Sequence, residues 1–265
     1  MLKPFVLDIV FFKGKYMVKN KYASIILMLV LVVVWEISVI IFSIPMYVLP
    51  SPIDVINALI NDFSDIIKHS TITFYEAAIG MVIALILATI ISILMDKFTI
   101  IRDAIYPILV VTQTVPIIVL APIFVIYLGF GLLPKIVTVV LMCFFPIVVS
   151  FSDGLINTDI EYVNLAKSYG SSDFKIYKLI KIPSAMPNLF SGLKVSATYS
   201  ISGAVVGEWV SAKEGLGYYL IKTKNAYMLD NAFASVLMII LLSLFMNLII
   251  KIIILFQNPQ LRKSL

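Results

Sequence analysis

Long stretches of this 265-residue chain carry no charged side chain at all: Ala77 to Met95, Ala104 to Phe130, Ile136 to Ser152 and Ala232 to Ile250. The hydrocarbon core of a bilayer is about 30 Å thick, and a helix needs about 20 mostly apolar residues to cross it. Two further stretches come close: Ala23 to Phe42 is interrupted only by Glu36, and Leu189 to Gly207 only by Lys194. Backbone amides in lipid must be satisfied within the segment, so these stretches predict helices. The expected fold is all-α, a polytopic membrane protein of six transmembrane helices, with the fifth the most polar. Composition agrees: 61% of residues are hydrophobic and 13% charged, against about 45–50% and about 25% in soluble domains.

The same figures exclude other classes. A net charge of +5 fits loops facing an anionic inner leaflet, not a nucleic-acid surface. One cysteine, Cys143, and one histidine, His69, rule out a disulfide framework and a Cys/His zinc cluster, so no metal site is expected. Cys143 reads as a small apolar filler and His69 as a solvated interface residue. The first apolar run is too long for a signal peptide and lacks a small-residue cleavage site, so it reads as a retained anchor.

Six crossings place both termini on one side. Fifteen of the 20 lysines and arginines then share that side, from Lys3 to Lys263. Lys68, Lys135, Lys213, Lys222 and Lys224 lie opposite. Positive loops stay inside, so both termini are expected in the cytoplasm of a multi-pass cell-membrane protein. Residues 1–22 mix lysines with Phe5, Ile9, Phe11 and Phe12 and suit an amphipathic helix on the inner surface. The expected organisation is that segment, a permease-like membrane domain over 23–256 and a cytoplasmic tail over 257–265.

Two segments lie outside lipid. The outer one follows Leu49-Pro50-Ser51-Pro52 with Val55, Leu59, Phe63 and Ile66 at helical spacing. The inner one, 153–188, places Val163, Leu165, Ala166 and Tyr169 on one short helix, and Phe174, Ile176, Tyr177 and Ile180 on another. Gly170 divides them, with Ser171, Ser172 and Asp173 offering cap chemistry. Pro183 is expected to end the second helix and Pro187 to delay the next. A loop this long is uncommon without a task, and its helical build points to a docking surface.

Within that loop, Ala166, Gly170, Ile180, Ile182 and Pro183 keep the spacing of the cytoplasmic signature of ABC importer permeases, with Asn164, Leu165 and Ile182 replacing its Glu, Ala and Leu. The series Gln113-Thr114-Val115-Pro116, Leu128-Gly129-Phe130-Gly131, Phe144-Phe145-Pro146 and Gly207-Glu208-Trp209 followed by Gly215-Leu216-Gly217-Tyr218 resembles the nitrate, sulfonate and taurine branch. Gly203 to Trp209 is most similar to permeases for the thiamine pyrimidine precursor or riboflavin. The resemblance implies a type I importer subunit that pairs with a second permease copy. Two cytoplasmic ATP-binding subunits would grip Asn164, Leu165, Ala166, Gly170, Ile180, Ile182 and Pro183, and an extracytoplasmic solute-binding protein would deliver the solute. ATP would be bound by those partners and no cofactor by this chain, which carries no phosphate-binding loop. The alternative is an ion- or proton-coupled carrier acting without an ATPase.

Other residues are open between two roles. Gly192, Ser196, Ser200, Gly203 and Gly207 form a small-residue stripe, either packing within the subunit or forming the dimer seam. Thr112, Gln113 and Thr114 precede Pro116 and could line the solute path or bond between helices, and Tyr199 on the fifth crossing could add polar lining. Glu76 and Glu208, at outer span ends, are expected to reach water. Glu36 lies deeper, with no assigned partner.

Overall fold

The computed structural model describes residues 21–257, and among these all regular structure is helical. In chain order the helices are α1 (Lys21–Ile41), α2 (Pro52–Asn61), α3 (Phe63–Lys97), α4 (Thr99–Thr114), α5 (Ile117–Leu128), α6 (Leu132–Ile156), α7 (Ile160–Ser168), α8 (Asp173–Ile176), α9 (Ile182–Ser211), α10 (Leu216–Asn225) and α11 (Leu229–Gln257). The expected surface helix within 1–22 falls outside the described residues up to residue 20, as does the tail from residue 258.

Four helices, α1, α3, α6 and α11, are long and apolar enough to cross a bilayer, and the bent pair α4–α5 passes the same test only when its two halves are taken together, which makes four spans or five among the described residues. The fifth expected crossing, Leu189 to Gly207, lies within the 30-residue α9, whose serines, glycines and Lys194 keep it outside that apolar set. Length alone does not limit it: at 1.5 Å per residue α9 reaches about 45 Å.

The Val115-Pro116 step explains the bend. A residue before proline is pushed out of helical geometry, and Val115 is extended at φ −86°, ψ 121°. The axis turns by 102° between α4 and α5. Pro107 and Pro122 stay inside their helices.

The centre of the molecule is α6, flanked by α9 and α3 in its two most extensive contacts. Val139, Cys143, Ile147, Phe151 and Leu155 of α6 are fully buried, as are Ala185, Ala197, Ile201 and Ala204 of α9. The small-residue stripe of α9 creates this contact. A Cβ on Gly192 would sit 2.7 Å from the Pro146 carbonyl, and one on Gly203 3.0 Å from Val139 Cα. Ser196 Oγ donates to the Cys143 carbonyl at 2.9 Å. Lipid offers no hydrophobic drive between helices, so close packing and such hydrogen bonds supply the association.

A second cluster closes one end, where α2, α10 and α11 bring together Val55, Ala58, Leu216, Tyr219 and Met238 around Ile66 of α3. Ser51 and Asp54 form a reciprocal capping box at the start of α2. Glu36 accepts from the Ile53 amide at 3.3 Å, which gives this intramembrane acid a cap-like partner.

The proline expectations need correction. Pro183 does not end a helix, and Pro187 does not delay one; both lie within α9. Between α8 and α9 runs a π-helical turn, Tyr177–Lys181, in which the Ile182 amide reaches the Tyr177 carbonyl five residues back. The widened turn makes room for the Pro183 ring against the preceding carbonyls, so the chain continues as one helical rod.

Gly192→Val is expected to cost about 1–3 kcal/mol by overpacking, seen as a lowered melting midpoint of the detergent-purified protein. Val195→Ala, on the exposed side of the same helix, is expected to stay within about 0.5 kcal/mol of the parent.

Candidate functional site

Three places gather functional side chains: a groove in the 153–188 loop, a pocket at the α4–α5 bend, and a buried polar network where α3, α6 and α9 meet α10.

The groove begins with α7. Asp159 caps it, its carboxylate accepting from the Glu161 amide at 2.9 Å. Gly170 ends it at φ +73°, the left-handed conformation that costs other residues roughly 1–2 kcal/mol. The Gly170 amide bonds the Lys167 carbonyl at 2.9 Å and the Ser171 amide the Ala166 carbonyl at 3.0 Å, the paired closure of a Schellman cap. The chain therefore folds back on itself, and α7 meets the π turn across a groove of about 420 Å³ that includes Leu165, Ala166, Tyr169, Leu179, Ile180 and Pro183. Leu165, Tyr169 and Leu179 are 56%, 82% and 68% exposed. Asn164 and Gly170 are exposed beside it, and Ile182 turns partly toward the core.

Asp96, in the last turn of α3, anchors this loop. Its Oδ2 accepts from Tyr177 Oη at 2.5 Å and from Lys181 Nζ at 2.6 Å, and its side chain is 4% exposed. Burial, reinforced by the Asp96 carboxylate, pushes the Tyr177 phenol well above its ordinary pKa, so it remains a neutral donor.

At the bend, Thr112, Gln113, Pro116, Leu141, Met142 and Tyr199 share a pocket of about 250 Å³. Thr112 Oγ1 donates to the Leu109 carbonyl at 2.8 Å and Thr114 Oγ1 to that of Val111 at 2.7 Å. Thr114 is exposed outside the pocket. Ser196, Ser200 and Gly203 are buried, with Ser196 and Gly203 against α6.

Glu76 and Glu208 do not reach water: they are 2% and 1% exposed. Lys135 Nζ donates to Glu76 Oε1 at 2.6 Å. Glu208 accepts from Thr73 Oγ1 at 2.7 Å and from the Gly217 amide at 2.6 Å. The Leu216 amide donates to Thr73 Oγ1 at 2.8 Å, and the Gly215 amide to His69 Nδ1 at 3.0 Å. The orphan amides that open α10 are thus satisfied by α3 and α9, with a carboxylate at the positive helix end. Gly215 sits at φ +112°, and a Cβ there would collide with the Glu208 carboxylate. His69 is half-buried, accepts the Gly215 hydrogen bond through Nδ1, and packs against the Tyr219 ring at 5.3 Å.

Residues 80–263 match the family described as the binding-protein-dependent transport system inner membrane component. The chain belongs to this family. A probable ABC transporter permease protein of Haemophilus influenzae is 33% identical over 81% of this chain and 88% of its own length. The formylaminopyrimidine transport permease protein ThiX of Halalkalibacterium halodurans is 35% identical over 82% of this chain and 86% of its own. Among solved structures, a chain from inward-facing MetNI, a methionine ABC transporter, superposes with a TM-score of 0.55 at 17% identity, covering 72% of this chain and 93% of that one. The fold is that of a type I importer permease.

In this permease, four of the seven loop residues of the signature, Leu165, Ala166, Ile180 and Pro183, line one groove. Sequence reading missed Asp96, Tyr177 and Lys181, whose partners lie 81 and 85 residues apart. It placed Lys135 among the outer cations without assigning it a partner.

Lys135→Met is expected to cost about 3–5 kcal/mol by leaving Glu76 buried and unpaired. Pairing it with Glu76→Leu is expected to recover at least half of that, measured as melting midpoints in a double-mutant cycle.

Proposed function

We propose that this permease subunit imports a small organic solute, pairing with a second permease copy and drawing on two ATP-binding subunits docked at the 153–188 groove. An extracytoplasmic binding protein delivers the cargo, for which a thiamine pyrimidine precursor, riboflavin and a sulfonate- or nitrate-type anion are the candidates. This chain itself holds no ATP. Six crossings, with both termini and the groove in the cytoplasm, complete the reading.

The observation that carries it is the groove: large apolar side chains stand in solvent on a helical elbow that is capped at Gly170 and anchored through Asp96. Contiguous exposed apolar surface of this kind marks a protein contact. Solute passage is assigned to the bend pocket, where Thr112, Gln113 and Tyr199 interrupt an apolar span; freed backbone and polar groups at membrane depth are tolerated where they line a cavity. Domain boundaries at 1–22, 23–256 and 257–265 follow the same reading.

Leu165→Asp combined with Leu179→Asp is expected to reduce co-purification of the ATPase subunit at least about tenfold, since charges replace desolvated apolar contacts, while melting of the permease alone stays within about 1 kcal/mol of the parent. Unchanged ATPase recovery would remove the docking role. An impermeant thiol label is expected to miss Tyr169→Cys in intact cells and to reach it in inverted vesicles, with Cys143 buried as the built-in blank. Labelling in intact cells would reverse the topology.

A further inference from the structure

The pocket at the α4–α5 bend is uncharged. Its polar groups are the Thr112 hydroxyl, the Gln113 carboxamide and the Tyr199 phenol, set among Pro116, Leu141 and Met142. Thr112 is satisfied by its own helix. Gln113 and Tyr199 have no hydrogen-bond partner among the described residues, and Tyr199 is 43% exposed. Gln113 belongs to a stretch that otherwise suits lipid, where an unpaired amide costs several kcal/mol, and Tyr199 lines the same pocket from the more polar α9. They therefore face something polar.

Charge decides what that is. An anion at membrane depth needs a counter-ion, and no lysine, arginine or histidine lines the pocket. Two of the permease's buried-side cations are already committed, Lys135 to Glu76 and Lys181 to Asp96. Lys194 lies five residues along α9 from Tyr199 and does not line the pocket. The first turn of α5 contributes partial positive charge, with no side-chain cap on it; that suits a carbonyl or ring-nitrogen acceptor. The volume, about 250 Å³, equals roughly eight waters at about 30 Å³ each, enough for one ring and its substituents.

We propose that this pocket selects a small, uncharged, single-ring solute with an amide-like hydrogen-bonding edge, Gln113 pairing with that edge and Tyr199 covering the ring face. The proposal rests on the permease reading above and narrows its cargo: a nitrogen heterocycle fits, whereas a sulfonate lacks its counter-charge and a tricyclic solute its space. A carboxamide offers a donor and an acceptor side by side, and a phenol ring stacks without demanding charge.

The test reconstitutes the permease with its ATP-binding subunits and binding protein in proteoliposomes and follows uptake of three radiolabelled probes: a formylaminopyrimidine, ethanesulfonate and riboflavin. Accumulation of the pyrimidine alone is expected. Gln113→Ala is expected to lower its uptake about tenfold, the loss of one hydrogen-bonded amide. Tyr199→Ala is expected to do the same, while Tyr199→Phe stays within twofold because it keeps the ring. Recovery of the ATPase subunit with each variant is scored separately, which controls for misfolding and for the permease reading itself. If the ATPase subunit fails to bind the parent, the permease reading fails. If it binds and hydrolyses ATP, but ethanesulfonate or riboflavin accumulates as fast as the pyrimidine, or none of the three accumulates, the cargo class is wrong. Uptake within twofold of the parent in both alanine variants would overturn the roles of Gln113 and Tyr199.

Discussion

The contact on which this structure depends is the close approach of α6 and α9. In lipid, two apolar helices gain nothing by leaving the acyl chains for each other unless they pack better than lipid does. Gly192, Gly203 and Gly207 bring the α9 backbone onto Pro146, Val139 and Lys135 of α6, and the Cys143–Ser196 exchange ties the two rods at mid-length. The stripe is consumed by that contact. Thr112, Gln113 and Tyr199 stand apart from that seam and line the pocket at the α4–α5 bend.

A second constraint fixes the opposite end. The motif Gly207-Glu208-Trp209, read beside Gly215-Leu216-Gly217, looks like two short patterns in the sequence but is one physical unit. Glu208 occupies the space that a side chain at 215 or 217 would need and takes the Gly217 amide, while Thr73 bridges to Leu216. A carboxyl group buried this deeply is tolerated because helix-end amides and a hydroxyl replace its water. Glu76 is treated the same way by Lys135. The cost of burying these groups is offset by fixing α10 against α3 and α9 in a single arrangement.

Much of this was legible in the sequence, because helices in lipid obey local rules. Charge-free length marked α3, α6 and α11, and Gly170 marked a helix end. The loop signature was legible through spacing alone, and the groove later gathered Leu165, Ala166, Ile180 and Pro183. Pairings across the chain were not legible. Thr73 and Glu208 are 135 residues apart, and no periodicity in one sequence reports which span faces which. The prolines misled for a different reason: their rule assumes a regular α-helix, and the five-residue turn at Tyr177–Lys181 relaxes that assumption.

Asp96 carries a consequence of its own. One buried carboxylate oxygen holds two side chains from the π turn, and that turn runs without interruption into α9. The elbow is therefore not a slack tether but the short arm of a stiff lever whose fulcrum is the Asp96 end of α3. Displacing it would load α3 and α9 simultaneously, and α6, wedged between them, would feel the strain from both flanks.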